Sequence, residues 1–140
     1  MSVIGIGLDQ IELSRIARAL ERFGDRFLKR CYSKEELAFA FAPKDPVPRL
    51  AARYAAKEAG AKALGTGIAR GILWRDIEVR RRPRERPTLH FHGRARQRAE
   101  ELGITHAHVS LTHGRELAGA SVIVEQRREE NSKYETKSFT

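Results

Sequence analysis

The sequence predicts an α+β fold: a small antiparallel sheet with a long central helix. Three observations lead there. A glycine-broken apolar run opens the chain, helical periodicity then dominates as far as Leu64, and four short strand-like runs follow with one amphipathic helix among them. Strand, helices, strands, helix, strands is the order of an α+β domain.

Val3-Ile4-Gly5-Ile6-Gly7-Leu8 reads as a short buried strand, rich in β-branched residues. Asp9 follows where the pattern changes period. From Ile11 to Phe23 the apolar positions Ile11, Ile16, Ala17, Leu20 and Phe23 make an imperfect helical stripe that Gly24 stops. Ser33 and Glu36 form an S-x-x-E capping box, which opens a helix through Leu37 to Phe41. Residues 42–48 hold three prolines and must break the helical run, and Asp45-Pro46 suits the N-cap and first position of the next helix. That helix is long and alanine-rich and runs to about Leu64, with Gly65 at the left-handed stop and Gly65-Thr66-Gly67 as a tight turn.

In the second half, residues 76–80, 88–92, 108–112 and 120–125 read as strands, and the R-R-P-R-E-R-P stretch at 81–87 is a connection. Residues 94–102 read as an amphipathic helix closed by Gly103. A single domain is expected over 1–125. The polar stretch 126–140 is expected to be a solvated tail of the kind that stays disordered.

Size and charge narrow the function classes. One domain is the default for 140 residues, and 41% hydrophobic with 32% charged residues is a globular composition. Cys31 is the only cysteine, which excludes an internal disulfide framework and fits a reducing compartment. No apolar run is long enough to span a bilayer and no signal peptide is evident, so a cytoplasmic protein with no membrane partner is expected. Against 18 acidic residues stand 27 basic ones, a net charge of +9 that attracts polyanions without choosing among them.

Three places have residues suited to chemistry. Asp9 sits at a strand–helix junction behind Gly7, which permits close approach to the backbone; the plain alternative is a helix cap. In R-Y-A-A-K-E-A-G-A-K, helical spacing makes Glu58 and Lys62 neighbours and sets Arg53 and Lys57 beside them. A carboxylate flanked by three cations and small residues suits a divalent metal plus phosphates, and the alternative is a solvated face with an i,i+4 pair. The strand V-S-L-T-H ends in His113, either a base or phosphate donor or a structural histidine. The pairs His90/His92 and His106/His108 have H-x-H spacing but no cysteine or carboxylate nearby in sequence to complete a zinc site.

Taken together, G-I-G-L-D-Q-I-E-L-S-R-I, R-Y-A-A-K-E-A-G-A-K-A-L-G-T-G and V-S-L-T-H-G-R-E-L-A resemble the signatures of the holo-acyl-carrier-protein synthases. These are small bacterial 4′-phosphopantetheinyl transferases, and the resemblance runs from about Val3 to Glu125. It implies transfer of the 4′-phosphopantetheine arm of coenzyme A to a serine of an acidic acyl carrier protein, releasing adenosine 3′,5′-bisphosphate, in support of fatty acid biosynthesis. It also implies Asp9 and Glu58 as ligands of Mg²⁺ (Mn²⁺ as a substitute) and catalytic residues. Lys62 would contact the phosphates, and Arg53, Gly65 and His113 would lie around the nucleotide, His113 near the 3′-phosphate. Arg15 matches the family arginine on the carrier-docking helix and Arg18, Arg22 and Arg26 extend a similar face, with Arg15 and Arg22 expected to dock the carrier; the +9 charge then steers the encounter. A homotrimer with active sites between subunits is carried over in the same way. Glu58 acting through a water is the preferred base.

Departures from the pattern are Gly60 for a bulky aromatic, expected to loosen the packing beneath the metal site, Ala61 for a serine, Thr112 for a serine and Gln10 in an apolar run. The competing readings are a nucleic-acid-binding module, motivated by the arginines but lacking interleaved aromatics, and an inactive relative.

Overall fold

The computed structural model describes residues 1–128. In chain order they form β1 (Ser2–Glu12), α1 (Leu13–Phe23), α2 (Asp25–Cys31), α3 (Lys34–Ala40) and α4 (Val47–Ala63). A 3₁₀ turn (Trp74–Asp76), β2 (Ile77–Arg80), β3 (Thr88–Phe91), α5 (Gly93–Glu101), β4 (His106–His113) and β5 (Leu117–Gln126) follow. The sheet order is β1-β5-β4, antiparallel throughout, and β2 and β3 make a separate antiparallel hairpin. The α+β expectation and its antiparallel sheet hold.

α4 is the centre of the molecule. Its alanines at 51, 52, 55, 56, 59, 61 and 63 are buried, and with so little side chain the helix packs on sheet and hairpin at once. On the sheet side the approach is closer than any side chain allows. A Cβ at Gly7 would lie 1.7 Å from the Ala59 carbonyl oxygen, and one at Gly5 would lie 2.0 Å from that of Ala63. The close approach that Gly7 permits is therefore that of α4 itself.

Ile11, Asp9 and Gly7 of β1 pair with Ala118, Ala120 and Val122 of β5, and this row faces α4. The alternate residues point away: Ile6 is 67% and Leu8 70% exposed, with Ile123 and Leu117 on the same outer face. β1 is thus not a short buried strand. It is eleven residues long and buried on one face only, because period-2 alternation delivers Gly5, Gly7 and Ile11, not Ile4 and Ile6, to the helix. Ile11 belongs to this strand and not to α1.

The capping box forms as expected. Ser33 Oγ accepts from Glu36 N, and Ser33 N donates to Glu36 Oε1. Asp45 Oδ1 accepts from Val47 N at the start of α4, and Gly65 takes the positive φ of +80° that ends it. α2 has no counterpart in the sequence reading, since seven residues show too little of a helical period. β5 runs through Gln126, the expected first residue of the solvated tail, and 129–140 of that expected tail lie outside the described residues. Among the described residues no helix is long and apolar enough to cross a membrane.

Candidate active site

Asp9 and Glu58 meet across the β1–α4 contact. Asp9 stands on the α4-facing side of β1, and Glu58 is four residues before Lys62 on α4, so the three side chains share one edge of the interface. Lys62 Nζ donates to Asp9 Oδ1 at 2.8 Å and to the Leu8 carbonyl oxygen at 3.2 Å. Burial raises the pKa of the Glu58 carboxyl, the Asp9 charge raises it further, and Lys62, Arg15 and a hydrogen bond from Tyr54 oppose the rise. The bond to Asp9 holds the Lys62 ammonium above its ordinary pKa. Two carboxylates are thus brought together with one lysine at their side, and Lys62 offsets part of their negative charge. Asp9 does not cap α1, whose N-cap is Glu12 with no side-chain hydrogen bond.

The other two cations of the motif are turned inward. Lys57 is fully buried, its Nζ 2.8 Å from Glu36 Oε1 and 2.6 Å from the Ile77 carbonyl oxygen, while Glu36 Oε2 accepts from Val79 N at 3.2 Å. Burial lowers the Lys57 pKa and Glu36 pulls it back. This ion pair ties α3, α4 and β2 together and faces no ligand. Glu58 is therefore flanked by one motif cation, Lys62, and not by three.

Arg53 is 2% exposed, its guanidinium 4.0 Å over the Phe39 ring and its Nε without a hydrogen-bond partner among the described residues. It lines a cavity of about 300 Å³ with Glu35, Phe39, Val79 and Arg80 to Arg82, and burial lowers its pKa to about 10. The nine residues from Arg53 to Lys62 are about two and a half helical turns, so the two lie on opposite sides of α4. Within one chain Arg53 is not brought to the acid pair. His113, exposed at the end of β4, pairs with Ala118, while Asp9 pairs with Ala120. Two strand spacings and two residues put the His113 and Asp9 backbones about 12 Å apart. Gly65 lies just beyond α4, its N–H donating to the Lys62 carbonyl oxygen at 2.9 Å.

Arg15 and Arg22 are exposed on α1, and only Arg15 is close enough to act on Glu58. Arg22 has its guanidinium 5.2 Å over the Phe23 ring. Next to this helix is a cavity of about 370 Å³ lined by Ala19, Phe23, Arg26, Phe27 and Tyr54 among others. Tyr54 was not singled out from sequence, although its i,i+4 spacing to Glu58 was the available signal. It stacks on Trp74 at 5.9 Å between centroids, and burial pushes its hydroxyl up to about 12.

Gly60 does not lie beneath the acid pair. A Cβ there would sit 3.0 Å from Ile77 Cγ2 and 3.5 Å from Leu89 Cδ2, so the small residue seats the β2–β3 hairpin closely and leaves no looseness. The H-x-H pairs also find other partners: His92 Nε2 is 3.0 Å from Glu78 Oε1 and His108 Nε2 3.3 Å from Glu125 Oε1. No cluster of three or more His, Cys, Asp or Glu suited to a metal occurs among the described residues.

This fold and site have known counterparts. The profile of the 4′-phosphopantetheinyl transferase superfamily matches residues 5–120. A holo-[acyl-carrier-protein] synthase of Koribacter versatilis is 49% identical over 123 residues, covering 88% of this chain and 98% of the relative. The crystal structure of the holo-[acyl-carrier-protein] synthase of Neisseria meningitidis superposes with a TM-score of 0.79 at 36% identity, covering 89% of this chain and all of that one. That of Helicobacter pylori, in complex with coenzyme A, gives 0.75 at 29% identity over 86% of this chain and 99% of the other. The chain belongs to the 4′-phosphopantetheinyl transferase superfamily. Within it, the enzyme is of the holo-[acyl-carrier-protein] synthase kind.

Proposed function

We propose that the chain is one domain that transfers 4′-phosphopantetheine from coenzyme A to a serine of an acidic apo acyl carrier protein, in the cytoplasm and in the service of fatty acid biosynthesis. The observation that carries this reading is the meeting of Asp9, Glu58 and Lys62 at one edge of the β1–α4 contact. The donor set fits Mg²⁺, which takes one or two carboxylates and completes its shell from water and substrate phosphates. Asp9 and Glu58 would hold it, and it would supply charge neutralisation at the pyrophosphate.

In the reaction the serine oxygen bonds to the pantetheine-side phosphorus. The bond from that phosphorus to the bridging oxygen breaks, and its electron pair leaves on adenosine 3′,5′-bisphosphate. Lys62 contributes its ammonium to the phosphate oxygens, where negative charge grows on the leaving side. Glu58 would receive the serine proton through a water. Arg15, near Glu58, would orient the carrier so that its serine reaches the phosphorus, with Arg22 farther along the docking face.

Arg53 and His113 lie away from the acid pair of their own chain, and the outer sheet face bears exposed Ile6, Leu8 and Ile123. Both observations support a homotrimer whose apolar sheet faces are covered by neighbouring copies, with Arg53 and His113 serving a nucleotide held between subunits. The test is intact mass spectrometry of apo carrier protein incubated with the enzyme, coenzyme A and Mg²⁺. A gain of one phosphopantetheine group that EDTA abolishes is the expected result; no gain on any carrier overturns the reading.

A further inference from the structure

The Lys62 ammonium is bonded to one of the two carboxylates of the acid pair. Its bonds to Asp9 Oδ1 and the Leu8 carbonyl are its hydrogen bonds among the described residues, and its side chain is 50% exposed where that of Asp9 is 15% exposed. The carboxylate is thus fixed in the β1–α4 contact, while the lysine is a compact charge on a flexible four-carbon stem that can swing into solvent. An Mg²⁺ ion bonds a carboxylate oxygen at about 2.1 Å. An ammonium hydrogen-bonded to the same oxygen would be forced against it, and two cations in so small a space repel strongly. Phosphate oxygens bound next to the metal would give the displaced ammonium a new partner.

We propose that Lys62 is a resident counterion of the acid pair. It competes with the divalent cation for Asp9 while the nucleotide is absent and transfers to the pyrophosphate when coenzyme A binds, so that cation and nucleotide bind cooperatively. The proposal rests on reading Asp9 and Glu58 as the cation site. Because coupling between two ligands is reciprocal, each raises the affinity of the other by the same factor. The lysine that contacts the substrate therefore also keeps the cation weakly held until substrate arrives.

The experiment titrates Mn²⁺ into the full chain with and without coenzyme A and follows free Mn²⁺ by electron paramagnetic resonance. Wild type, Lys62→Met, Lys62→Arg and Asp9→Asn are compared, and circular dichroism verifies that each is folded. Without coenzyme A, Lys62→Met should bind Mn²⁺ on the order of fivefold more tightly than wild type, and Lys62→Arg, which keeps the charge, within about twofold of wild type. Coenzyme A should enhance Mn²⁺ binding by about tenfold or more in wild type and by much less in Lys62→Met. Unchanged or weaker Mn²⁺ binding by Lys62→Met overturns the proposal. If Asp9→Asn abolishes binding in that case, the cation site stands and the role of Lys62 alone falls; if Asp9→Asn binds as wild type does, the cation site falls with it.

Discussion

Gly7→Ala is the sharpest test of how this fold builds its site. The added methyl carbon would lie 1.7 Å from the Ala59 carbonyl oxygen, 2.6 Å from the carbonyl carbon and 3.0 Å from Ala63 N. All three are backbone atoms of α4, so no rotamer relieves the clash. Restoring an ordinary contact requires β1 and α4 to separate locally by about 1.5 Å. Overpacking of this kind costs about 3 kcal/mol, which for a domain of this size lowers the melting temperature by about 12 °C. Asp9 stands two residues along the same strand, so its 2.8 Å bond to Lys62 opens with the gap. A displacement near 1 Å at a reacting centre can cost about a hundredfold in rate. Calorimetry and carrier-loading kinetics on Gly7→Ala and Gly5→Ala read both effects. Gly5→Ala meets a similar clash farther from Asp9 and should lose comparable stability but less turnover. Gly114→Ala, where an added Cβ meets nothing within 4 Å, is the control. A Gly7→Ala protein with wild-type melting temperature and turnover would refute the argument that this contact sets the site.

Three further outcomes follow from the same structure. Lys57→Met strands the Glu36 carboxylate in the core, although Ser33 N and Val79 N still donate to it, and should cost about 3–5 kcal/mol in urea unfolding. A loss below about 1 kcal/mol would mean that the pair is not held in the interior. Burial pushes the Glu78 carboxyl up, but hydrogen bonds from Ser33, His92 and Arg80 outweigh that and leave its pKa at about 2. A depressed folded pKa stabilises above the ordinary carboxylate range. Glu78→Gln should therefore remove about 3 kcal/mol above pH 5, and progressively less as pH falls from 5 towards 2. An unchanged gap between the two proteins across that range would count against the hydrogen bonds. Arg15→Glu should raise the KM for carrier protein far more than that for coenzyme A, and equal effects on both would remove Arg15 from the docking face.

Much of this architecture was legible because its signals are local. The S-x-x-E box, the proline break before α4 and the glycine after it each specify backbone from a few neighbouring residues, and each formed. The acid pair was legible only through the likeness of three separate motifs, since nothing in residues 1–12 says which helix Asp9 will face. The inward turn of Arg53 and Lys57 was not legible. Helical spacing fixes which residues share a face, but which faces become interior depends on where α3 and the β2–β3 hairpin dock. Glu36 shows the same limit: its capping role lies in the local sequence, while its partnership with Lys57 is tertiary. The glycines of β1 were misjudged for a related reason. An apolar run suggests a buried strand, yet in residues 3–8 it is Gly5 and Gly7 that face α4, while Ile4, Ile6 and Leu8 face out.

The burial of Lys57 bears on how mutational scans of this enzyme should be interpreted. Lys57 and Glu58 are adjacent letters of one motif, and replacing either would remove product formation in a screen that scores only product. On the proposed reading the causes would differ: replacing Glu58 would empty the proposed cation site of a folded protein, and replacing Lys57 would lower the amount of folded protein. A scan that records abundance together with activity separates them, with Glu58 variants abundant and silent and Lys57 variants scarce. Cooling or raising expression should recover signal for the second group alone. The K-E-A-G-A-K segment thus encodes two phenotypes in a few consecutive codons, and its uniform intolerance to substitution would not be a map of the active site.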